Sequence, residues 1–305
     1  MSHKLKGKNA VVTGSSHGIG KAIALALAGE GANVVVNGSG AGPQGPGTEL
    51  RPLHDVVDEI KAKGGAAVAG CGSVADFRYA GSLIKTCVDN FGSIDILITC
   101  AGIGEVGTIV DVPVEVWRQV VDVHLNGTFN CCRHASALMV RQKSGRIINT
   151  ASHAFLGIFG GTAYAASKGG IISLTRAMAS DLKGSGVTCN AFCPGAKTRL
   201  STGGEYEEKI NALYEKECLT KEQKYRALNP SYPGLLTPLV VYLSTDDAAH
   251  INGQVFSIAG GYIGLFPEPE EVFLGYKDEE KDGLWTMDEI ANLGPLKRPD
   301  SGDVI

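Results

Sequence analysis

Short apolar runs that alternate with longer amphipathic stretches constrain the fold of this chain more than any other feature. The apolar runs are NAVVT (9–13), NVVVN (33–37), AAVAG (66–70), IDILIT (94–99), GRIINT (145–150), VTCNAF (187–192) and QVFSI (254–258). Helical periodicity lies between them, near 18–30, 51–63, 75–91, 115–141, 162–183 and 232–245. Strands that are apolar throughout and separated by helices are typical of parallel sheets covered on both faces. The pattern predicts an α/β fold with a doubly wound, Rossmann-type parallel sheet of seven strands and helices on both faces.

Two long segments interrupt this alternation. A Gly/Pro-rich loop, GSGAGPQGPGTELRP, occupies residues 38–52, and a polar segment with helical character occupies residues 200–231. Long connections inside a compact domain are usually binding loops or lids. We therefore expect one Rossmann domain over residues 1–265, with a lid inserted at about 200–231.

The last forty residues, 266–305, form an acidic extension with eleven acidic and four basic side chains. They also contain Trp285 and nine other large apolar residues, which is more than a solvated tail usually has. Thr286, Glu289 and Gly294 have the spacing of a helix with a capping box and a terminal glycine. We expect this extension to pack on the domain or on a neighbouring subunit, near the lid.

Composition argues against several kinds of partner. The chain has 305 residues, of which 44% are hydrophobic and 20% charged, and its net charge of -4 gives no reason to expect a nucleic-acid partner. No run of 18 apolar residues predicts a membrane span, and the first residues do not resemble a signal peptide. The eight cysteines form no CxxC pair, so we expect neither a zinc site nor a redox dithiol, and a reducing cytoplasm fits.

The first strand is followed by TGSSHGIG (13–20), with glycines at 14, 18 and 20, and then by a helix. Glycines let the backbone approach a pyrophosphate closely, and the start of the helix offers amide groups and a positive dipole end. Because the loop joins a strand to a helix within a βαβ unit, it predicts a dinucleotide site rather than an ordinary turn.

A second constellation is YAASK, which places Tyr164 and Lys168 four residues apart. Residues i and i+4 share one face of a helix, and a nearby positive charge lowers the pKa of a phenol. A tyrosine tuned in this way can exchange a proton near neutral pH. Taken alone, these residues are better explained as an ordinary helix start with a buried tyrosine and a solvated lysine.

Together with YAASK, the GxxxGxG spacing of the loop makes the chain similar to the short-chain dehydrogenase/reductase family. TCAG (99–102) and CPGAKT (193–198) are further matching pieces, and the similarity runs from about Leu5 to Phe266. The resemblance implies binding of NAD or NADP and hydride transfer between the nicotinamide and an alcohol or carbonyl group. It places cofactor contacts at Gly14, Ser16, His17, Gly18, Ile19, Gly20, Asn37, Gly38, Ser73, Val74, Ala101, Gly102, Tyr164, Lys168, Pro194, Gly195, Ala196 and Thr198.

The same resemblance implies catalytic roles. Tyr164 would be the general acid/base, Lys168 would tune it and bind the nicotinamide ribose, and Ser152 would hydrogen-bond the substrate oxygen. Ser152 lies twelve residues before Tyr164, where the family usually has thirteen. His124 occupies the position of the family's helix asparagine. Helical spacing from Trp117, Val120 and Val121 places it on the inward face, where it is either a water-organising residue or a core histidine. Asn126 would point away from the site on a regular helix.

The sequence indicates the preferred cofactor and the substrate less clearly than it indicates the catalytic residues. Gly38 lies where an acidic residue that binds the ribose of NAD is usual, and the expectation leans slightly to NAD. Several stretches, among them DVHLNGTF and AGGYIG, are similar to (3R)-hydroxyacyl-CoA dehydrogenase regions of multifunctional enzymes. A CoA thioester is thus one expected substrate; a steroid or cyclic alcohol and a non-catalytic dinucleotide-binding protein are the alternatives. The family resemblance also implies a homo-oligomer, either a dimer or a tetramer.

Overall fold

The computed structural model describes residues 3–41, 49–104, 107–158, 160–198, 201 and 203–294, with only the backbone at Glu205. Parts of three predicted segments lie outside these residues: 42–48 of the Gly/Pro-rich loop, 200 and 202 of the lid, and 295–305 of the extension. The described residues divide into two compact units, Met1–Phe266 and Pro267–Ile305.

A single sheet organises the first unit. Its strands are β1 (Asn9–Thr13), β2 (Asn33–Gly38), β3 (Ala67–Cys71), β4 (Ile96–Thr99), β5 (Gly145–Thr150), β6 (Val187–Pro194), β7 (Val255–Ala259) and β8 (Tyr262–Phe266). The order across the sheet is β3-β2-β1-β4-β5-β6-β7-β8. All neighbours pair in parallel except β7 and β8, so the doubly wound α/β prediction is confirmed. The strand order reverses between β1 and β4, which is where such sheets bind ligands.

The strand count of seven was wrong, because the described part of the chain contains eight strands. The eighth, β8, pairs antiparallel with β7 through a turn at Gly260 and Gly261, and Gly260 has a φ of +58°. A two-residue glycine turn is a standard hairpin connection. The last predicted strand was QVFSI (254–258), and the short run YIGLF after the glycines was not among the predicted strands.

Helices cover both faces of the sheet. They are α1 (Gly18–Gly29), α2 (Arg51–Ala62), α3 (Phe77–Phe91), α4 (Val114–Val121), α5 (Gly127–Gln142), α6 (Thr162–Asp181), α7 (Gly204–Glu215), α8 (Lys221–Leu228) and α9 (Thr237–Leu243). Neighbouring residues of one strand face opposite layers: Val12 packs in the cluster that includes α1 and α2, whereas Val11 packs with α3 and α5. This two-sided burial explains why the strand sequences are apolar throughout.

The predicted helical stretch at 115–141 is interrupted. A π-helical turn, Asp122–Asn126, separates α4 from α5. One extra residue per turn rotates the side chains that follow, so a regular helical projection fails here. π-Turns of this kind often lie at functional sites.

The lid segment is helical, as predicted, and consists of α7 and α8. Thr220 and Gln223 form a capping box at the start of α8. Lys209 donates a hydrogen bond from Nζ to the carbonyl of Gly160 at 3.1 Å, and the guanidinium of Arg226 lies 4.6 Å from the ring centroid of Tyr262 on β8. The lid is therefore attached to the first unit at both of its helices.

The second unit has its own local order. Its helix, α10 (Met287–Ala291), begins at Thr286, which forms the predicted capping box with Glu289. Lys277 forms an ion pair with Glu289 at 3.0 Å, and its ammonium lies 5.6 Å from the ring centroid of Trp285. The predicted capping box is confirmed, whereas the helix ends at Ala291, before the Gly294 expected to terminate it.

No described helix has both the length and the apolar character needed to cross a bilayer.

Candidate active site

The loop between β1 and α1 is built around glycines that no other residue could replace. A Cβ on Gly14 would lie 2.6 Å from the backbone of Ala101, and a Cβ on Gly20 would lie 2.4 Å from the carbonyl oxygen of Gly14. Gly14 also has a φ of +61°, which disfavours other residues. These two glycines hold the turn against the end of β4 and against the first turn of α1.

Gly18 has a different surrounding. Its φ is +56°, but a Cβ there would meet only the side chain of Thr198, at 3.6 Å and beyond. The first turn of α1 contains no acidic residue, and its amide groups have no acceptor within the helix. A pyrophosphate fits this open cradle in both shape and charge, so the predicted residues from Gly14 to Gly20 suit a dinucleotide.

The two predicted cofactor residues at the end of β2, Asn37 and Gly38, differ in what they can offer a ligand. The side chain of Asn37 is buried and fully used: Oδ1 accepts from the Gly14 amide at 3.2 Å, and Nδ2 reaches the carbonyl of Gly70 and the hydroxyl of Tyr79, each at 3.1 Å. Asn37 thus braces the loop. Gly38 has no side chain, and a Cβ there would meet Ser16 Oγ at 3.0 Å.

The TCAG segment is held by a residue that the sequence analysis missed. Thr13 Oγ1 accepts hydrogen bonds from the amides of Cys100 at 2.9 Å and Ala101 at 3.1 Å. Its place at the last position of β1, directly before the glycine loop, was the available signal. Ala101 and Gly102 are thereby fixed beside the loop, as the resemblance implied.

Two further predicted positions lie after β3. Ser73 Oγ accepts from the Ala75 amide at 3.3 Å, and the buried Val74 accepts from Asn130 Nδ2 at 3.0 Å through its carbonyl. Val74 also packs against the start of α5, where a Cβ on Gly127 would lie 2.6 Å from its Cγ2.

After β6, the Pro194–Thr198 segment runs along the same edge of the sheet. The Gly195 amide donates to Ile258 at 2.8 Å, and Ala196 is buried. The Thr198 amide donates to Ser201 Oγ at 2.9 Å, which directs the chain toward the lid. Thr198 therefore lies between the glycine loop and the lid.

The structure brings Ser152, Tyr164 and Lys168 together. Ser152 follows β5 and starts a short 3-10 turn, where its Oγ accepts from the Ala154 amide at 3.2 Å. It is also hydrogen-bonded to Tyr164, so the spacing of twelve residues does not move it out of reach. Lys168 is buried, donates from Nζ to the carbonyl of Thr150 at 2.7 Å, and lies 5.5 Å from the centroid of the Tyr164 ring. Ser152 and Tyr164 are half-buried, whereas Lys168 is buried.

The charge state of this group differs from the prediction. Burial raises the pKa of Tyr164, and the hydrogen bond from Ser152 only partly opposes this effect. The expected lowering of the Tyr164 pKa by Lys168 is thus wrong for the chain by itself. Desolvation acts on the lysine too and lowers the pKa of Lys168 to about 8, because burial disfavours the charged form of each group.

His124 lies in the π-turn and faces the site. It is buried, as predicted, whereas Asn126 is exposed and bonds to Asp122; Trp117, expected on the same inward face, is 37% exposed. The Nε2 atom of His124 lies 2.9 Å from the oxygen and 3.1 Å from the nitrogen of Ile103, and its ring meets Tyr164 edge-on at 5.0 Å. Burial lowers the pKa of His124 to about 3, so the imidazole is neutral at physiological pH.

The Nδ1 atom of His124 is buried and has no hydrogen-bond partner among the residues that the structure describes. A buried polar atom of this kind is stabilised by any donor that reaches it, including a bound water. The structure is consistent with both interpretations of His124, a core histidine and a water-organising residue. Its side chain is buried, and its Nδ1 atom is available to a water.

Across the described ranges, no three His, Cys, Asp or Glu side chains are grouped so that they could hold a metal ion.

Comparisons with known proteins match this geometry. Residues 8–205 match the short chain dehydrogenase family. The chain is 37% identical to a 3-oxoacyl-[acyl-carrier-protein] reductase, FabG, from Staphylococcus aureus, over 83% of this chain and 97% of that protein. It is 32% identical to the (2S)-[(R)-hydroxy(phenyl)methyl]succinyl-CoA dehydrogenase subunit BbsD of Thauera aromatica, over 84% of this chain and 97% of that protein.

A solved short chain dehydrogenase from Mycobacterium avium superposes with a TM-score of 0.75 at 35% identity, covering 94% of this chain and 92% of that one. The chain belongs to the short-chain dehydrogenase family. It is an NAD(P)-dependent oxidoreductase that transfers a hydride between the nicotinamide and an alcohol or carbonyl group.

Proposed function

We propose that the protein interconverts a 3-oxoacyl and a 3-hydroxyacyl thioester. The observation that carries the proposal is that Ser152 and Tyr164 are hydrogen-bonded to each other and half-buried, with the buried Lys168 beside the tyrosine ring. The thioester class is supported by two relatives, whose names specify a 3-oxoacyl group on acyl carrier protein and a hydroxylated acyl-CoA.

A bound nicotinamide would supply or accept the hydride. In the reducing direction, Tyr164 donates its hydroxyl proton to the substrate oxygen, and Ser152 donates a hydrogen bond that stabilises the developing negative charge. The raised pKa of Tyr164 keeps the phenol protonated and ready to act as an acid. Lys168, fixed by the Thr150 carbonyl, supplies positive charge beside the phenolate that forms.

His124 contributes from the other side of the Tyr164 ring. Since it is neutral, it cannot serve as a cation, and its role is to hold the Ile103 backbone and to offer Nδ1 to a water beside the tyrosine. In this proposal His124 is a positioning residue that takes over the place of the family's asparagine.

Turnover of a substrate panel tests the function. Acetoacetyl-CoA and a 3-oxoacyl-acyl carrier protein are compared with cyclohexanone and a 3-oxosteroid, each with NADH and with NADPH, by nicotinamide absorbance. We expect kcat/KM for a thioester to exceed that for the cyclic ketones by roughly a hundredfold. Contacts to the parts of the thioester remote from the reacting carbonyl provide binding energy that raises kcat/KM. Preference for a cyclic ketone would refute the thioester proposal, and cofactor binding without any turnover would favour the non-catalytic alternative.

Tyr164→Phe is the matched control for that panel, because it removes only the hydroxyl. Its turnover is expected to fall by at least about a thousandfold, with cofactor affinity within about twofold of the wild type. Substantial residual turnover would remove Tyr164 from the role of proton donor.

We also infer a cytoplasmic homo-oligomer, a dimer or tetramer. The eight cysteines are unpaired thiols, which suits a reducing compartment. Large apolar side chains are exposed on the α4–α5 segment, among them Val114, Phe129 and Val140, and unpartnered apolar surface is typical of an interface. Light scattering on the purified protein measures the mass, and a monomer at micromolar concentration would contradict the inference.

The C-terminal extension is part of the same proposal. The match to the Mycobacterium avium structure covers 94% of the chain, which is more than the first unit alone provides, so part of the extension has a counterpart in another member. We propose that it packs on the domain or on a neighbouring subunit. Truncation after Pro267 tests this, since unchanged melting temperature, mass and kinetics would contradict packing.

A further inference from the structure

The choice between NAD and NADP depends on the groups that surround the adenosine ribose. In sheets of this type the ribose lies beyond the end of β2, where a carboxylate bonds the hydroxyls of NAD and repels the 2′-phosphate of NADP. Neither residue at that strand end can act in this way. Asn37 is committed to the Gly14, Gly70 and Tyr79 contacts, and Gly38 has no side chain.

The chain that follows contains no ionisable side chain from Gly38 to Thr48. The first carboxylate after β2 is that of Glu49, at the far end of the Gly/Pro-rich loop. The amide of Glu49 donates a hydrogen bond to the carbonyl of Gly40 at 3.0 Å. This bond closes the loop at its base, so the chain returns to within two residues of the end of β2 before α2 begins.

Glu49 is exposed at this point, and it makes no ion pair with the described residues. A carboxylate without a partner at this strand end is available to accept hydrogen bonds from a diol. The contact between Glu49 and Gly40 thus brings the first carboxylate after β2 near a strand end that has no acid of its own.

The basic groups nearby are engaged elsewhere. Arg51, the first residue of α2, lies along the helix toward Asp55, with Nε 4.0 Å from Oδ2. Lys21, on the first turns of α1, pairs with Glu59 at 3.0 Å. His17 Nδ1 lies 3.1 Å from Ser16 Oγ. The Arg51–Asp55 pair is exposed and long and adds little stability, so Arg51 is included in the binding test as the alternative partner of a 2′-phosphate.

We propose that Glu49 is the specificity-determining residue for the cofactor and selects NAD over NADP. Its carboxylate accepts hydrogen bonds from the ribose hydroxyls and repels a 2′-phosphate. The proposal rests on the dinucleotide function of this site and is independent of which alcohol or ketone the enzyme converts.

Direct binding measurements test it without turnover. The dissociation constants of NADH and NADPH are measured by fluorescence titration for the full-length wild type, Glu49→Gln, Arg51→Gln and Asp58→Asn. Asp58 is the matched control, since it is an exposed carboxylate on α2 that is not at the loop base. A charged hydrogen bond of this kind corresponds to about tenfold in affinity.

We expect Glu49→Gln to lower the preference for NADH over NADPH by about tenfold, while Asp58→Asn and Arg51→Gln leave it within about twofold. An unchanged preference in Glu49→Gln overturns the proposal, and so does a wild type that prefers NADPH and loses that preference in Arg51→Gln. If the wild type binds neither nucleotide, the dinucleotide function itself fails. Failure of the thioester panel with normal NADH binding removes only the proposed substrate.

Discussion

The two ends of the dinucleotide site are built in opposite ways. At the nicotinamide end, Lys168, His124 and Thr13 are buried and hydrogen-bonded to backbone that the sheet holds in place. At the ribose end, Gly38, Ser16 and Glu49 offer little side chain or lie at the surface. The reacting groups are thus fixed by the core, whereas the groups that choose the cofactor are on a loop that can change with little cost to the fold.

Substitution of Lys168 tests the buried end with the largest expected effect. Lys168→Met keeps the length and apolar volume of the side chain but removes the charge and the hydrogen bond to Thr150. We expect kcat to fall by at least about a thousandfold, because both the phenolate and the cofactor lose their cationic partner. Steady-state kinetics on the substrate that the panel identifies gives the measurement, and loss of less than tenfold would contradict the assigned role.

Lys168→Met should also change how the free energy of unfolding depends on pH. The pKa of Lys168 in the folded protein is about 8, below the ordinary value of about 10.4 for the unfolded chain. Between these values the folded protein has lost the proton and the unfolded chain still binds it, so the free energy of unfolding rises with pH. Denaturant titrations should show this rise, at most about 3 kcal/mol, in the wild type and not in Lys168→Met.

Gly14 and Gly18 have nearly the same φ angle, so substitutions at the two positions distinguish an effect on packing from an effect on cofactor binding. Gly14→Ala forces a Cβ to 2.6 Å from the Ala101 backbone, whereas Gly18→Ala meets only the Thr198 side chain at 3.6 Å. Both substitutions cost about 1–2 kcal/mol for the left-handed conformation. Gly14→Ala should add a steric cost and lower the melting temperature clearly further, while Gly18→Ala should stay folded and bind NADH at least tenfold more weakly.

Equal melting temperatures for the two variants would mean that Gly14 is not tightly packed. Unchanged NADH binding by a folded Gly18→Ala would mean that the cradle is not the pyrophosphate site.

The contrast between the two ends also explains what the sequence could predict. Gly14, Tyr164 and Lys168 were found because the chemistry requires these residue types at fixed spacing along one element. The state of Tyr164 was predicted wrongly, because burial depends on the surrounding residues and outweighs the charge of one neighbour. Glu49 was not found, because only the hydrogen bond that closes the loop brings it back to β2.

His124 lies between these extremes, since its burial was predicted but its bonding was not. A projection onto a regular helix placed it inward, and the π-turn instead brings Nε2 to Ile103. A Cβ on Gly102 would lie 2.5 Å from the His124 ring, so the glycine of TCAG makes room for the imidazole. The contact between Gly102 and the His124 ring could not be predicted from either residue by itself.

Substitution of His124 should have an intermediate effect. His124→Ala removes both the Ile103 contact and the polar Nδ1 atom, and we expect kcat to fall by about tenfold to a hundredfold. His124→Asn should restore most of that loss. Because the pKa of His124 is about 3, the pH profile of kcat between pH 5 and 8 should have the same shape in the wild type and in His124→Asn. If both variants only lower the melting temperature, His124 is a core residue without a part in turnover.

The smallest effect is expected from adding an acid where the strand end lacks one. In Gly38→Asp the new Cβ lies 3.0 Å from Ser16 Oγ, a hydroxyl on a half-buried side chain that can rotate away, so the fold should lose less than about 1 kcal/mol. If Glu49 already bonds the ribose, a second carboxylate adds little, and the preference for NADH over NADPH should rise by less than about threefold. In the Glu49→Gln background the same substitution should restore about tenfold, because the site then has no other acid. Titrations of the single and double variants with both nucleotides measure these ratios. A tenfold gain from Gly38→Asp in the presence of Glu49 would show that the ribose hydroxyls had no carboxylate partner before, and the loop-closing role assigned to Glu49 would then be structural only.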